Sequence, residues 1–336
     1  MNLIRAVVLI SLFPLVSCNA LLTSDESASS MAVTEDLESR TYHFTYTVQV
    51  PAPQAGTKVL KVWVPLPMQD SGVQRVTNLK SSIVGNTAEL SENTEPVYGN
   101  RMLYAEISNP QGETTIRWEA DVLRIADVGQ GTQPPVKNYR LANRLIPLDG
   151  SARELASELG IIDTSLDSHA KARRVFDDVL TGMEYNKKVP GYGLGDFQRA
   201  LDICMGNCTD FHARFIGTCR AASIPTRFTM GIPMKSDPQG TYNSYHCWAH
   251  WFDGRNWNPV DISEADKIVA TDPQGADKFF GHLGVDRVAL TFGRDLILSP
   301  PQQAEPLNYF VFPYVEADGQ PVTMDKSMWE FTYKDL

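Results

Sequence analysis

The residues most able to do chemistry lie in three short runs. Gly206-Asn207-Cys208-Thr209-Asp210-Phe211 places a thiol where a helical pattern begins. His246-Cys247-Trp248 and Trp257-Asn258-Pro259-Val260-Asp261 follow, each inside a strand-like pattern. A cysteine nucleophile needs a base to take its proton and a third group to orient that base. The reading is therefore acyl transfer at an amide through a thioester on Cys208. His246 takes the thiol proton and returns it to the leaving amine, and Asp261 holds the imidazole in the useful tautomer.

The elements around these residues set whether they can meet. Asp196 to Cys204 reads as a short helix, broken by Met205-Gly206-Asn207. A second helix starts at Cys208, with Phe211, Phe215, Ile216, Cys219 and Ala222 as its buried stripe, and Ile224-Pro225 ends it. In the first helical turn, unpaired N–H groups and the helix dipole favour a thiolate and can hold an oxyanion. Tyr245–Phe252 and Arg255–Asp261 read as strands joined by a two-residue turn at Asp253-Gly254. If Phe252 faces Arg255, His246 lies directly opposite Asp261, with Cβ atoms about 4.5–5.5 Å apart. A loop two residues longer staggers them. Taken singly, Cys208 is a half-buried structural cysteine, His246 a satisfied core histidine and Asp261 a strand-end turn residue; the joint order is what favours chemistry.

Other candidates carry less. His212 lies one helical turn after Cys208 but has no evident orienting carboxylate, so it reads as a packed residue. Asp210 reads as a first-turn carboxylate favoured by the helix dipole. His246 and His250 would be about 13 Å apart along one strand face, too far for one metal. The chain has no Cys-x-x-Cys pair, His-Glu-x-x-His run, P-loop or dinucleotide fingerprint, so neither a metal nor a cofactor is expected. A net charge of −10 with scattered Lys and Arg argues against nucleic acid as a partner.

The run Gly-Asn-Cys-Thr-Asp-Phe-His-Ala-Arg-Phe, followed by Arg-Ala-Ala-Ser-Ile-Pro-Thr-Arg, resembles the nucleophile helix and next strand of the transglutaminase-like superfamily of papain-like thiol enzymes. His246–Trp251 resembles that superfamily's histidine strand and Trp257–Asp261 its aspartate strand. Together the motifs cover about residues 196–262. The resemblance implies Cys208 as nucleophile, His246 as base and Asp261 as orienting acid, with a side-chain oxyanion donor upstream of the nucleophile; Tyr192 in the loop Pro190-Gly191-Tyr192-Gly193 is the candidate, against a reading as a turn aromatic. Ser223 stands where many relatives carry glycine. Cys247 stands where a small residue is common; strand alternation turns it away from His246. Relatives include crosslinking enzymes, peptidases, deamidases and inactive proteins. Hydrolysis of a peptide or protein amide is favoured over crosslinking, and a non-catalytic module binding envelope proteins or glycans is the alternative.

Residues 1–17 read as a signal peptide, with Arg5 and an apolar run from Ala6 to Val16. Leu15-Val16-Ser17-Cys18 resembles the lipobox of bacterial lipoproteins, which implies lipidation at Cys18 and a membrane anchor, on the periplasmic face of the outer membrane of a Gram-negative cell. Residues 18–39 form a polar tether. Cys204, Cys219 and Cys247 leave a disulfide open, with no pairing fixed.

The fold class expected is α+β. Alternation at Tyr42, Phe44, Tyr46, Val48 and Val50, repeated at Ile116, Trp118, Ala120 and Val122, makes 40–128 a β-sandwich. Such a domain resembles those that precede many bacterial transglutaminase-like cores. Residues 129–150 read as a linker and 151–336 as the catalytic domain. Its helix Leu166–Leu180 is amphipathic, and strands around 288–292, 296–298, 309–315 and 329–333 are expected to complete its sheet.

Overall fold

A computed structural model describes residues 37–70, 72–131 and 137–336. The signal peptide, Cys18 and nearly all of the tether lie outside the described residues. In chain order the first strands are β1 (Ser39–Val50), β2 (Val59–Pro65), β3 (Gln74–Val84), β4 (Leu90–Thr94), β5 (Arg101–Ser108) and β6 (Thr114–Ile125). The helical part follows: α1 (Ser151–Glu158), α2 (Ser168–Gly182), β7 (Glu184–Tyr185), α3 (Phe197–Ile203), β8 (Met205–Gly206) and α4 (Cys208–Ala221). Then come β9 (Thr226–Pro233), β10 (Gln239–Tyr242), β11 (His246–Phe252), β12 (Trp257–Val260), α5 (Ile262–Ile268), α6 (Pro273–Lys278) and β13 (Arg287–Phe292). The chain closes with β14 (Tyr314–Ala317), β15 (Gln320–Pro321) and β16 (Trp329–Asp335).

Three sheets carry the fold. Alternating apolar residues give β1 and β6 one buried face each, and the two strands pair antiparallel from Ser39↔Ile125 to Val50↔Thr114. Their sheet runs β10-β16-β1-β6-β3, and a second runs β15-β14-β2-β5-β4. The third sheet, β12-β11-β9-β13, lies against α4. The architecture is thus mixed, with a strand-rich N-terminal region followed by a helix-and-sheet core.

Two expectations about organisation change. The last strands complete the sandwich, not the sheet behind the thiol: β14 pairs with β2 (Tyr314↔Trp63) and β16 with β1 (Phe44↔Tyr333). Phe331 explains the placement, because its ring stacks on Tyr46 at 3.9 Å and on Phe44 at 5.6 Å. Such a strand covers an edge that would otherwise expose unpaired backbone groups. Of the expected C-terminal strands only 287–292 joins the third sheet, while Leu296 makes just a bridge to Leu307. The described part of the expected linker is packed: Tyr139 is buried between Tyr98 and Trp257.

Candidate active site

Helix α4 is buried around its whole circumference, not on one stripe. A helix in that setting sits in the centre of a core. Its start is fixed by a capping box: Asn207 Oδ1 accepts from Thr209 N (2.9 Å), and Asp210 Oδ2 accepts from Asn207 N (3.0 Å). Gly206 is required here, since a Cβ would stand 2.3 Å from Asp210 Oδ2. Asp210 also accepts from Gly193 N (2.8 Å) and Gly195 N (3.1 Å). It therefore ties the 190–195 loop to the nucleophile's helix, a role beyond the dipole.

Cys208 occupies the first helical position and is 3 % exposed. His246 and Cys247 are its neighbours, near enough for both to lower the proton affinity of its thiol. His246 Nε2 lies 2.6 Å from Asp261 Oδ2, which leaves Nδ1 for the thiol. Asp261 is fully buried and further held by Arg287 Nη1 (2.8 Å) on Oδ2 and by Ser263 Oγ (3.0 Å) and Glu264 N (3.2 Å) on Oδ1. The structure thus brings Cys208, His246 and Asp261 together.

The register that does so differs from the expected one. Phe252 pairs with Trp257, so the loop spans 253–256, with Ala249 opposite Val260. Asp253 Oδ1 accepts from Arg255 N and Asn256 N, both at 2.7 Å, and this turn delays the return strand by two residues. Asp261 then leaves the sheet as the N-cap of α5, and from there reaches His246 diagonally.

The electrostatics favour a thiolate–imidazolium pair. Cys247 and then His246 outweigh burial and hold the Cys208 thiol well below its ordinary value. Burial alone would lower His246, but the charge and hydrogen bond of Asp261, helped by Cys208, push it up to about 10. Asp261 in turn is kept far below the usual carboxylate range: burial opposes this, and His246 and Arg287 override it.

His212 is packed, as its sequence context implies. Its Nδ1 is 2.7 Å from Cys208 O and its Nε2 accepts from Ile262 N at 3.3 Å, so Nδ1 carries the hydrogen and the ring is a neutral clamp. Burial lowers its proton affinity, consistent with that state. Cys247 does point away from His246, but that face is the one α4 packs on: Cys247 Sγ is 3.7 Å from both Thr209 Oγ1 and His212 Nδ1. Tyr192 is 44 % exposed, and its phenol makes no hydrogen bond to Cys208, His246 or Asp261. Tyr185 instead pairs in register with Gly206, two residues before the thiol, and burial and the Cys208 charge both raise its phenol.

Sequence reasoning missed Arg287, Tyr185 and Tyr245. Tyr245 Oη accepts from Asn207 Nδ2 at 3.0 Å, so it braces the helix cap. Its position beside His246 was the one available signal. Ligand atoms of His246, Asp261 and Glu264 lie within 4.8 Å of one another, a set that can hold a cation. Arg287 on Asp261 and Lys267 on Glu264 already supply positive charge there.

Residues 154–262 match the core of the Transglutaminase-like superfamily, and they include Cys208, His246 and Asp261. An uncharacterized protein of Haemophilus influenzae is 25 % identical over 341 residues, covering 87 % of this chain and 90 % of its own. The crystal structure of a proposed cysteine protease from Cytophaga hutchinsonii aligns with a TM-score of 0.52 at 16 % identity, over 88 % of this chain and 98 % of that one. This likeness concerns the fold.

Proposed function

We propose, from the transglutaminase-like core formed around residues 154–262, that this protein transfers acyl groups from amides through a thioester on Cys208. The observation that carries the reading is the buried 2.6 Å contact between His246 and Asp261, with Cys208 on the first turn of α4 beside the same imidazole. His246 holds the proton taken from the thiol at Nδ1 and delivers it to the departing amine. Asp261, clamped by Arg287, keeps the ring charged and oriented. The Cys208 N–H has no hydrogen-bond partner among the described residues, which supports a role as oxyanion donor. Tyr185 is the side-chain donor the register with Gly206 favours.

Water is the acceptor in this reading, making the protein a peptidase or amidase. Water is abundant, and no run of the sequence marks an amine site. The processing of Leu15-Val16-Ser17-Cys18 would tether this activity to the cell envelope. The test is a panel of peptide amides incubated with and without a primary amine, with products read by mass spectrometry. Free acid formed by the native protein and absent with Cys208→Ala supports hydrolysis. Amine-linked product overturns the choice of acceptor, and no product in either case overturns the reaction.

A further inference from the structure

Two cysteines meet at the start of α4. Cys208 lies on its first turn, and Cys247 reaches it from β11, held 3.7 Å from Thr209 Oγ1 and 3.7 Å from His212 Nδ1. His212 Nδ1 is shared between them, 3.7 Å from Cys247 Sγ and 2.7 Å from Cys208 O, and both cysteines are buried. The remaining described cysteines are placed elsewhere: Cys204 is exposed and bonds Leu201 O, and Cys219 is buried further along α4 near Thr226. Cys247 helps to lower the Cys208 thiol, but no bond made or broken in the acyl-transfer reading involves its sulfur.

The geometry points to Cys247 as a resolving thiol, which captures Cys208 as a Cys208–Cys247 disulfide after oxidation by a hydroperoxide. The inference rests on Cys208 being the activated thiol of the proposed reaction. The Cys208 thiolate attacks one peroxide oxygen; the O–O bond breaks, giving Cys208 sulfenic acid and, after protonation, water or an alcohol. The Cys247 sulfur then attacks the sulfenic sulfur. An S–S bond forms, the S–O bond breaks, and the hydroxyl leaves as water with the Cys247 proton. Two electrons pass from the two thiols to one peroxide, and no other reactant is needed.

The surroundings suit each step. A sulfenic acid with no neighbouring thiol goes on to irreversible acids, whereas a low-pKa cysteine beside a resolving one is rescued as a disulfide. Burial, reinforced by the Cys208 thiolate, keeps Cys247 protonated and unreactive in the resting site. Oxidation turns that thiolate into a neutral sulfenic acid and removes the second of these restraints at the moment Cys247 must act. With Cys208 only 3 % exposed, the site admits a peroxide more readily than a bulky thiol such as glutathione.

The test is peroxide titration of the full, reduced chain, followed by peptide mapping under non-reducing conditions. The expected result is a linked peptide pair containing Cys208 and Cys247, with the intact mass lower by two hydrogens. Iodoacetamide labelling of Cys208 should fall roughly tenfold or more and return on adding dithiothreitol. In Cys247→Ser and Cys247→Ala, checked for folding by circular dichroism, the same peroxide should drive Cys208 to sulfinic or sulfonic acid that dithiothreitol does not reverse. Native protein that accumulates those acids without the linked pair overturns the inference, as does linkage of Cys208 to Cys204 or Cys219. The native linkage map decides it even where neither variant folds. Amide turnover is scored separately, so failure of the acyl-transfer reading and failure of the disulfide are told apart.

Discussion

Replacing Asp261 with asparagine removes a charge from the imidazole while keeping the side chain's shape. In the native site His246 rises from an ordinary 6.5 to about 10 although burial pulls the other way. A rise of that size corresponds to about 5 kcal/mol favouring imidazolium. Two unit charges at the 2.6 Å separation of His246 and Asp261 attract by about 6 kcal/mol at an effective dielectric constant near 20. Asp261 is therefore the largest favourable contributor, with Cys208 helping to offset burial. Without Asp261 burial is opposed by Cys208 and by the Glu264 carboxylate 3.7 Å away, and His246 should titrate far below 10. Thiolate at neutral pH, which the imidazolium stabilises, should fall by roughly 10²–10³-fold. The assay is a ¹³C-histidine NMR titration, with His250, held down to about 4 by burial and Arg227, as an internal reference. Asparagine leaves the buried Arg287 guanidinium with Asp286 as its remaining carboxylate, so the double substitution Asp261→Asn with Arg287→Met controls for misfolding. A His246 midpoint that stays near 10 in both variants would refute the electrostatic argument.

Four further outcomes are expected. Because folding raises His246, its contribution to stability is fully present below 6.5 and is lost as pH rises through about 10; urea unfolding between pH 6 and 10.5 should show this, and His246→Gln should flatten it. Asp210→Ala removes the capping box and frees the Gly193 and Gly195 amides, so it should cost about 1–2 kcal/mol in chemical unfolding and speed hydrogen exchange across 190–195. Ser223 adopts a left-handed φ of 66°, so Ser223→Gly should stabilise the fold by up to about 1 kcal/mol in the same assay. Tyr185→Phe should lower kcat by about 10²-fold with KM little changed if its hydroxyl supports the oxyanion.

Cys208, His246 and Asp261 were readable as one set because each sits in a local pattern: a capped helix start, an aromatic strand and a strand end. Alternation in β1 and β6 likewise exposed the sandwich face. What stayed hidden depends on partners distant in the chain. Arg287 comes from β13, and nothing near Asp261 announces it. Strand β16 reads like any half-buried strand, and only its aromatic contacts with Phe44 and Tyr46 decide which sheet it joins. The turn at Asp253-Gly254 has the residues of a two-residue hairpin, yet the Asp253 carboxylate bonds two successive amides and lengthens it. Cys247 alternates away from His246 as expected; that its face is the one α4 covers required the packing itself.

Competitive iodoacetamide labelling of the reduced protein at neutral pH, mapped by mass spectrometry, tests the central claim most directly. Accessibility ranks the exposed Cys204 first and the 3 %-exposed Cys208 far behind it. Activation by His246 and Asp261 reverses that order. The account predicts that Cys208 labels first and that His246→Ala abolishes its lead. Labelling of Cys204 ahead of Cys208, with Cys208 no faster than the buried Cys219 and indifferent to His246→Ala, would contradict it.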